Sequence, residues 1–309
     1  MGRGDLSDAE WERQRPFLAV SNGRCGRWRD HRQVIDGILH RVWTGVQWRD
    51  LPERFGPWKT VYERHRLWSA DGTWERLLQQ VQAAADAAGE IDWDVSVDST
   101  IVRAHQHAAG ARTDPACPHL KGGRRDRTSG RNAVAEPAGP PGGGGAGGEG
   151  LGRSRGGFTT KLHLSADGRC RLLSLIVTPG QRADCTQLKP VLEKIRVPKI
   201  GPGRPRKKPD SVAADKAYSN RPCREYLRRR GIRHTTPEKT DSQAARLRKG
   251  SYGGRPPGFD EEQYKKRNTV ERAINRLKHH RAVATRYDKR RYVYLGTATA
   301  AALTIWLRT

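Results

Sequence analysis

The chain lacks the sequence features of several common protein classes. Its five cysteines are scattered over 309 residues and no two form a CxxC pair, which argues against a zinc ribbon or a disulfide framework. No apolar run reaches the length of a transmembrane helix, and the first residues lack a signal-peptide core. The glycine-rich segments lack the Gly-Lys-Ser/Thr ending of a phosphate-binding loop. These absences predict an intracellular protein that neither spans a membrane nor binds a nucleotide through such a loop.

Acidic residues are also scarce. Asp and Glu number 33 against 59 Lys and Arg, which gives a net charge of +26 at pH 7. This excess goes beyond what solubility requires, and arrays of Lys and Arg displace the counterions that condense on phosphates. Arginine dominates the basic residues and favours bidentate contacts with phosphates and base edges. The composition predicts a nucleic-acid partner, with a merely solvated basic surface as the alternative.

The first 90 residues predict a separate helical domain. Apolar residues between positions 30 and 44 recur with the period of a helix, and a basic, aromatic helix follows from Trp58 after two breaks rich in Gly and Pro. This order resembles an all-α, helix-turn-helix-like DNA-binding domain, and an ordinary helical bundle with tryptophans in its core is the alternative. The predicted contacts with DNA are Lys59, Arg64 and Arg66.

Residues 91–309 predict a second, mixed α/β domain. The predicted order of elements is strand, hairpin, helix, strand, helix, short strand and helix. This order suits a mixed sheet with flanking helices. The hairpin is predicted around Asp167-Gly168. A flexible insertion is predicted at about 132–157, because residues 137–157 contain 11 Gly and 3 Pro. A basic, unstructured connector is predicted at Gly201–Pro209.

Two aspartates in this region each follow a short apolar run. Asp98 comes after Val95–Val97, and Asp215 comes after Val212–Ala214. If the two predicted strands are neighbours, their terminal carboxylates lie side by side at one edge of the sheet. Isolated aspartates at strand ends are common, so each of them alone indicates little.

A third carboxylate lies on a predicted basic helix that runs from Tyr264 to Lys278. At about 100° per residue, Glu271 lies between an apolar stripe and a basic face. Mg²⁺ prefers oxygen ligands, and three carboxylates are about enough to hold two ions that work on a phosphodiester. The three carboxylates therefore predict a metal site, with a solvated surface glutamate as the simpler interpretation of Glu271.

The spacing Tyr264-x₂-Arg267-x₃-Glu271-x₆-Lys278 resembles the Y-R-E-K signature of bacterial insertion-sequence DDE transposases of the IS-four/IS-five type. The resemblance extends over nearly the whole chain. The other similar segments are Trp48–Tyr62, Val97–Thr100, Gly152–Lys161 and Ala214–Tyr218.

This resemblance implies an RNase H-like catalytic fold that cleaves DNA at terminal inverted repeats and performs strand transfer. It implies Asp98, Asp215 and Glu271 as the catalytic, metal-binding residues. The accessory residues near the DNA end would be Tyr264, Arg267 and Lys278. The implied cofactor is a pair of Mg²⁺ ions, for which Mn²⁺ can substitute.

The implied partners are double-stranded DNA, as inverted repeats and as target, and further copies of the chain in a homodimer or higher oligomer. The expected location is the cytoplasm, in association with the nucleoid. Two alternatives remain open at this point. One is a remnant or regulator that binds DNA ends without cutting, and the other is an RNase H-like, structure-specific nuclease.

Overall fold

The N-terminal part of the chain is helical, as its periodicity predicts. The computed structural model describes residues 4–18, 30–111 and 147–309. The helix predicted between positions 30 and 44 is capped by Asp30, whose carboxylate accepts the Arg32 N–H at 3.0 Å, and it ends at Gly45 with φ +73°. The helices of this region are α1 (Asp8–Glu12), α2 (His31–Thr44), α3 (Trp58–Ala70) and α4 (Thr73–Ala87).

A mixed sheet forms the centre of the remaining chain, so the predicted α/β class is confirmed. Its strands are β1 (Asp94–Ala104), β2 (Gly152–Ser154), β3 (Gly157–Ala166), β4 (Leu172–Pro179), β5 (Ser211–Ala214), β6 (Arg233–Thr235) and β7 (Thr285–Arg286). Strand β1 is central, with β3 antiparallel on one edge and β5 parallel on the other. The predicted hairpin is formed by β3 and β4, and β6 extends the sheet beyond β5.

One edge of β1 is only partly covered. Strand β5 pairs with residues 94–97, and β7 pairs with residues 103–104 on the same edge. Between them, no strand in the described part of the chain pairs with residues 98–102 on that edge. We call this interruption at residues 98–102 the notch.

Helices cover both faces of the sheet. Helix α10 packs on β1 and β3 from one face, and α6 packs on β3 and β4 from the other. The helices that follow β1 are α5 (Gln106–Ala109), α6 (Leu188–Lys194), α7 (Arg221–Arg229), α8 (Thr240–Arg248), α9 (Glu261–Lys265), α10 (Asn268–Lys278), α11 (Arg281–Ala284) and α12 (Arg291–Leu307). None of the helices that the structure describes is both long and apolar enough to cross a membrane.

The last helix joins the two predicted domains through one apolar core. Helix α12 packs against α2, α3 and α4 as well as against β4. The Trp306 indole donates a hydrogen bond to the Leu172 carbonyl at 2.7 Å, which fixes α12 to the sheet. The domain boundary near residue 90 stays a prediction, and buried side chains are continuous across it.

The predicted flexible insertion differs from the structure at its C-terminal end. Residues 132–146 lie outside the described ranges, but residues 147–157 form a 3₁₀ turn, strand β2 and the start of β3. The buried Glu149 carboxylate accepts hydrogen bonds from the Arg290 guanidinium and the Arg291 N–H, both at 2.6 Å. Local glycine content predicted flexibility, whereas ion pairs with residues far along the chain hold this end in place.

Candidate active site

Asp98 and Asp215 are neighbours in the sheet. Val97 pairs with Ala214 in the parallel register of β1 and β5, so the next residue on each strand is one of the aspartates. Adjacent strands lie about 4.8 Å apart, which places the two residues side by side. The expectation that Asp98 ends its strand is wrong, because β1 continues to Ala104. Asp98 instead lies at the start of the notch, where β5 has stopped.

Helix α10 carries Glu271 over the same face of β1. Its apolar stripe, Val270, Ile274 and Leu277, is buried as the sequence predicts. The Thr269 hydroxyl lies 3.2 Å from the Ser96 hydroxyl, and Ser96 shares a strand face with Asp98 because side chains alternate along a strand. Glu271 therefore stays on the exposed side of α10, next to the notch.

The single helix predicted from Tyr264 to Lys278 is broken in the structure. Helix α9 ends at Lys265 and α10 begins at Asn268, so Tyr264 and Glu271 lie on different helices. The period of about 100° per residue therefore does not run unbroken from Tyr264 to Glu271. Arg267 occupies the junction, in α-helical conformation, at the N-terminal end of α10.

Arg267 joins two of the three carboxylates. Its guanidinium lies 3.3 Å from Asp98 Oδ2, and it also pairs with Glu271 Oε1 one turn along α10. The Tyr264 ring lies 5.7 Å from the same guanidinium, within the range of a cation–π contact. One cation therefore lies between acidic groups that come from a strand and a helix.

Electrostatics ties all three carboxylates together. Burial raises the pKa of Asp98, while the N–H of Ser99 and the charge of Arg267 lower it, and the negative charges of Asp215 and Glu271 raise it further. These carboxylates are thus close enough to destabilise one another when ionised. A bound cation would relieve that repulsion, and hard oxygen ligands suit Mg²⁺.

The structure does not bring the carboxylates into finished metal geometry. Within the described ranges, no three His, Cys, Asp or Glu side chains converge closely enough to hold a metal ion. Arg267 provides the positive charge between Asp98 and Glu271. The oxygen donors fit a divalent cation by their chemistry, and their final arrangement requires side-chain movement.

Lys278 lies at the far side of the notch. Its ammonium donates a hydrogen bond at 3.2 Å to the carbonyl of Ile101, a residue of β1 within the notch. Burial lowers the pKa of Lys278. The notch therefore lies beside the three carboxylates and beside two cations, Arg267 at the start of α10 and Lys278 at its end.

Two family models together match most of the chain. Residues 6–78 match a family described as "Putative transposase of IS4/5 family", and residues 91–306 match the "Transposase DDE domain". The chain belongs to the DDE transposase family. The mixed α/β class expected for the chain is confirmed by its seven-stranded sheet, and its RNase H-like class stays a prediction. Members of this family generally use divalent metal ions.

Two curated relatives match parts of the transposase. One is "Uncharacterized protein y4sN" of Sinorhizobium fredii, 40% identical over 123 residues that cover 40% of this chain and 90% of the relative. The other is "Insertion element IS402 uncharacterized 16.2 kDa protein" of Burkholderia cepacia, 40% identical over 77 residues. This second match covers 24% of the transposase and about half of the relative, 52%.

Solved structures show only a weak likeness. The "Mos1 transposase paired-end complex with left transposon end" is 12% identical, with a TM-score of 0.23 over 85% of this chain and 83% of that chain. The "Crystal structure of a pre-cleavage Mos1 transpososome" is also 12% identical, with a TM-score of 0.24 over 94% and 82%. Scores this low carry no argument about the transposase.

A polar cluster behind the aspartates was missed by the sequence analysis. On the opposite face of β1 from Asp98, the Ser99 hydroxyl donates to Asp184 Oδ1 at 2.7 Å, and Lys161 donates to the same oxygen at 3.0 Å. Tyr218, three residues after Asp215, is buried beside this cluster, and burial raises its pKa. The only sequence signal was that Lys161 and Tyr218 lie in segments that resemble the family.

The three basic residues predicted to contact DNA from α3 lie in different environments. Lys59 is exposed, and Arg66 is partly exposed beside Glu63 at 3.8 Å. Arg64 is only 8% exposed, with its guanidinium 3.1 Å from the His31 ring nitrogen, and burial lowers its pKa. Burial of Arg64 in helix packing argues against a direct DNA contact. The sequence did not indicate this burial, because tertiary packing is not visible in the spacing of basic residues.

Proposed function

We propose that this transposase cleaves DNA at the terminal inverted repeats of its element and joins the freed ends to target DNA. The observation that carries the proposal is the adjacency of Asp98 and Asp215 on neighbouring strands, with Arg267 paired to both Asp98 and Glu271. Water first attacks a phosphodiester in line, and the 3′-oxygen on the opposite side leaves as a free DNA 3′-hydroxyl. This hydroxyl then attacks a phosphodiester of the target DNA and displaces the 3′-oxygen of the target strand. No covalent bond between protein and DNA is required.

The three carboxylates are the proposed ligands of two Mg²⁺ ions, for which Mn²⁺ can substitute. Such a pair, when bound, activates the attacking oxygen and stabilises the leaving oxygen. The support for this assignment is the oxygen-only donor set and the raised pKa of Asp98, which is caused first by burial and then by the charges of Asp215 and Glu271.

Arg267, Lys278 and Tyr264 are the proposed contacts with the reacting DNA end. The planar guanidinium of Arg267 can bind a phosphate through two parallel hydrogen bonds once it leaves the carboxylates. Lys278 adds a second cation about 16 Å along α10 from Arg267, at 1.5 Å per residue. Tyr264 orients Arg267 through its ring.

Residues 1–90 are proposed as a DNA-binding unit, and residues 91–309 as the catalytic unit. The net charge of +26 and the exposed side chains of Lys59 and Arg66 support contact with duplex DNA from α3. Two inverted repeats per element favour a homodimer or higher oligomer on DNA, with the nucleoid as its location.

The test is a nicking assay on inverted-repeat duplex with increasing Mg²⁺, alongside a binding assay in chelator. Asp98→Asn, Asp215→Asn and Glu271→Gln should each abolish cleavage while binding stays largely intact. Glu262→Gln is a matched control, because Glu262 lies on the neighbouring helix α9 with a side chain 84% exposed. Retained cleavage by any of the three variants overturns the assignment of that carboxylate.

The same assay separates the alternatives. Binding without nicking by the unaltered chain at every metal concentration supports a DNA-end-binding remnant or regulator. Cutting of branched DNA that lacks repeat ends supports a structure-specific nuclease.

A further inference from the structure

The basic connector before β5 is an ordered hairpin. The sequence predicted an unstructured segment, but Val197 and Arg206 form an antiparallel bridge with N–H to carbonyl distances of 2.9 and 2.8 Å. We call residues 196–208 the basic hairpin. The prediction failed because Gly and Pro are read as breakers, although here they form the turn between the two bridged residues.

The base of the basic hairpin is fixed to the sheet. The Arg206 guanidinium lies 4.0 Å from the centre of the buried Trp93 ring and 2.9 Å from Asp210 Oδ1. The backbone N–H of Asp210 also donates to the Trp93 carbonyl at 3.1 Å. The tip beyond this base is exposed, with Ile200 at 68%.

The basic hairpin has a high positive charge. Residues 196–208 contain six Lys and Arg residues and no Asp or Glu. Five of them are exposed and form no ion pair within the part of the chain that the structure describes: Arg196, Lys199, Arg204, Lys207 and Lys208. Five unpaired cations on a small, fixed projection favour a polyanion over simple solvation.

The tip is also thin. It reads Gly201-Pro202-Gly203-Arg204-Pro205, and Arg204 is its only long side chain. Gly203 has φ +140°, a conformation that other residues adopt only with strain. A minor groove about 6 Å wide excludes a helix of about 10 Å diameter, whereas the side chain of Arg204 on a turn of small residues can enter it.

We propose that the basic hairpin binds the minor groove of A·T-rich duplex DNA. Arg204 enters the groove, where narrow A·T tracts concentrate negative potential that attracts arginine. Lys207 and Lys208 contact the flanking phosphates. This inference rests on the proposed function only in taking duplex DNA as the partner.

The contact is separate from the reacting phosphodiester. The basic hairpin precedes β5 and Asp215 follows it, so the two sites lie at opposite ends of a strand of four residues. At about 3.3 Å per residue, that strand separates them by roughly 13 Å. Loss of the hairpin contact should therefore weaken DNA binding without changing cleavage of saturating DNA.

The experiment measures binding of the full chain to short duplexes in chelator by fluorescence anisotropy. Three matched duplexes are used. One is A·T-rich, one is G·C-rich, and the third has the G·C-rich sequence with inosine in place of every guanine. Inosine lacks the 2-amino group that guanine places in the minor groove, and it leaves the major-groove acceptors unchanged. We expect A·T and inosine duplexes to bind about tenfold more tightly than the G·C duplex.

Arg204→Ala should remove this preference, and Gly203→Ala should reduce it at unchanged charge. Arg229→Ala is the matched control, since Arg229 is 80% exposed on α7, outside the basic hairpin, and should keep the preference. Thermal melting checks that each variant folds. An inosine duplex that binds like the G·C duplex, or a preference that survives Arg204→Ala, overturns the inference.

Nicking of inverted-repeat DNA separates this inference from the proposed function. Nicking with no A·T preference overturns only the hairpin inference. An Arg204-dependent preference in a chain that never nicks supports the hairpin inference and contradicts the catalytic proposal.

Discussion

Two of the aspartate–arginine pairs in this transposase differ in how completely their charges are enclosed. Asp167 and Arg171 are buried, with side chains 0% and 2% exposed, and the Asp167 carboxylate accepts two hydrogen bonds from Arg171 at 2.7 and 2.9 Å. Asp98 and Arg267 are 23% and 20% exposed, with one contact of 3.3 Å between them. The first pair is closed to other ligands, and the second is open.

The surroundings reinforce this difference. Asp167 also accepts backbone N–H groups from Arg169 and Arg171, and the Arg171 guanidinium lies 4.1 Å from the centre of the Trp306 ring. Asp98 has one backbone donor, Ser99, and two carboxylate neighbours that repel it. Burial raises the pKa of both aspartates, so the difference lies in their neighbours. A carboxylate with an open side and other carboxylates beside it is a candidate for binding a further cation, whereas one enclosed by hydrogen-bond donors stabilises the fold.

The largest expected effect distinguishes the open pair by activity. Asp98→Asn should lower metal-dependent nicking by about 10³-fold or more, because metal ions contribute several kcal/mol to such reactions. Its melting temperature should change little, since the amide still accepts the Ser99 N–H. If the Asp98→Asn variant is unfolded at ordinary temperature, Asp98 is a structural residue, and the two pairs do not differ in function.

The closed pair should show the opposite behaviour. Asp167→Asn leaves the buried Arg171 charge without its carboxylate, so we expect a loss of about 3–5 kcal/mol in the free energy of unfolding. Urea denaturation measures this loss, with Asp98→Asn as the control. Nicking per folded molecule should be unchanged at low temperature, and a specific loss of nicking there would contradict a purely structural role.

Arg267→Gln tests whether the arginine competes with metal ions at the open pair. Mn²⁺ or Mg²⁺ without DNA should raise the melting temperature more in this variant than in the wild type. The reason is that a ligand stabilises the folded state more when it binds more tightly. Arg272→Gln is the matched control, an exposed arginine on the same helix. Equal metal-induced shifts in both variants would show that Arg267 does not limit metal binding.

Much of this comparison could be predicted from local patterns. The apolar runs before Asp98 and Asp215, and the stripe of Val270 and Leu277, are periodic signals of buried elements, and the structure confirms those elements. The parallel pairing of β1 with β5, on which the site depends, was only a conditional expectation, because strand order is set by long-range contacts.

Other features of the site have no local signal. No Gly or Pro marks the break between α9 and α10. Arg267 pairs with Asp98 at this break, and the neighbouring Lys266 carbonyl accepts a hydrogen bond from the Ser96 hydroxyl on β1. Asp184 lies in an ordinary turn, and only the fold brings it to Ser99 and Lys161. Residues that meet across the sheet could not be assigned from their own neighbours in sequence.

The pH dependence of stability offers a finer measurement of the open pair. The folded-state pKa of Asp98 is raised by burial, so its contribution to stability is fully present below the ordinary Asp pKa and is lost as pH rises through the raised value. Asp98→Asn removes this dependence. The free energy of unfolding of the wild type should therefore fall relative to that of the variant as pH rises from strong acid towards neutral. Urea denaturation at a series of pH values measures this difference. A relative gain would mean that Arg267 overcompensates the burial.

The smallest expected effects extend the comparison from carboxylates to cations on α3. Lys59→Ala should lower the slope of log affinity against log salt by about 1 if Lys59 contacts a phosphate, with no change in melting temperature. Arg64→Ala should keep the slope and lower stability by about 1–3 kcal/mol, because Arg64 packs on Trp68 and His31. Arg66→Ala should follow Lys59→Ala. Suppose that Arg64→Ala instead lowers the salt slope and keeps the melting temperature of the wild type. The Arg64 guanidinium of the wild-type protein then leaves the helix packing to reach DNA.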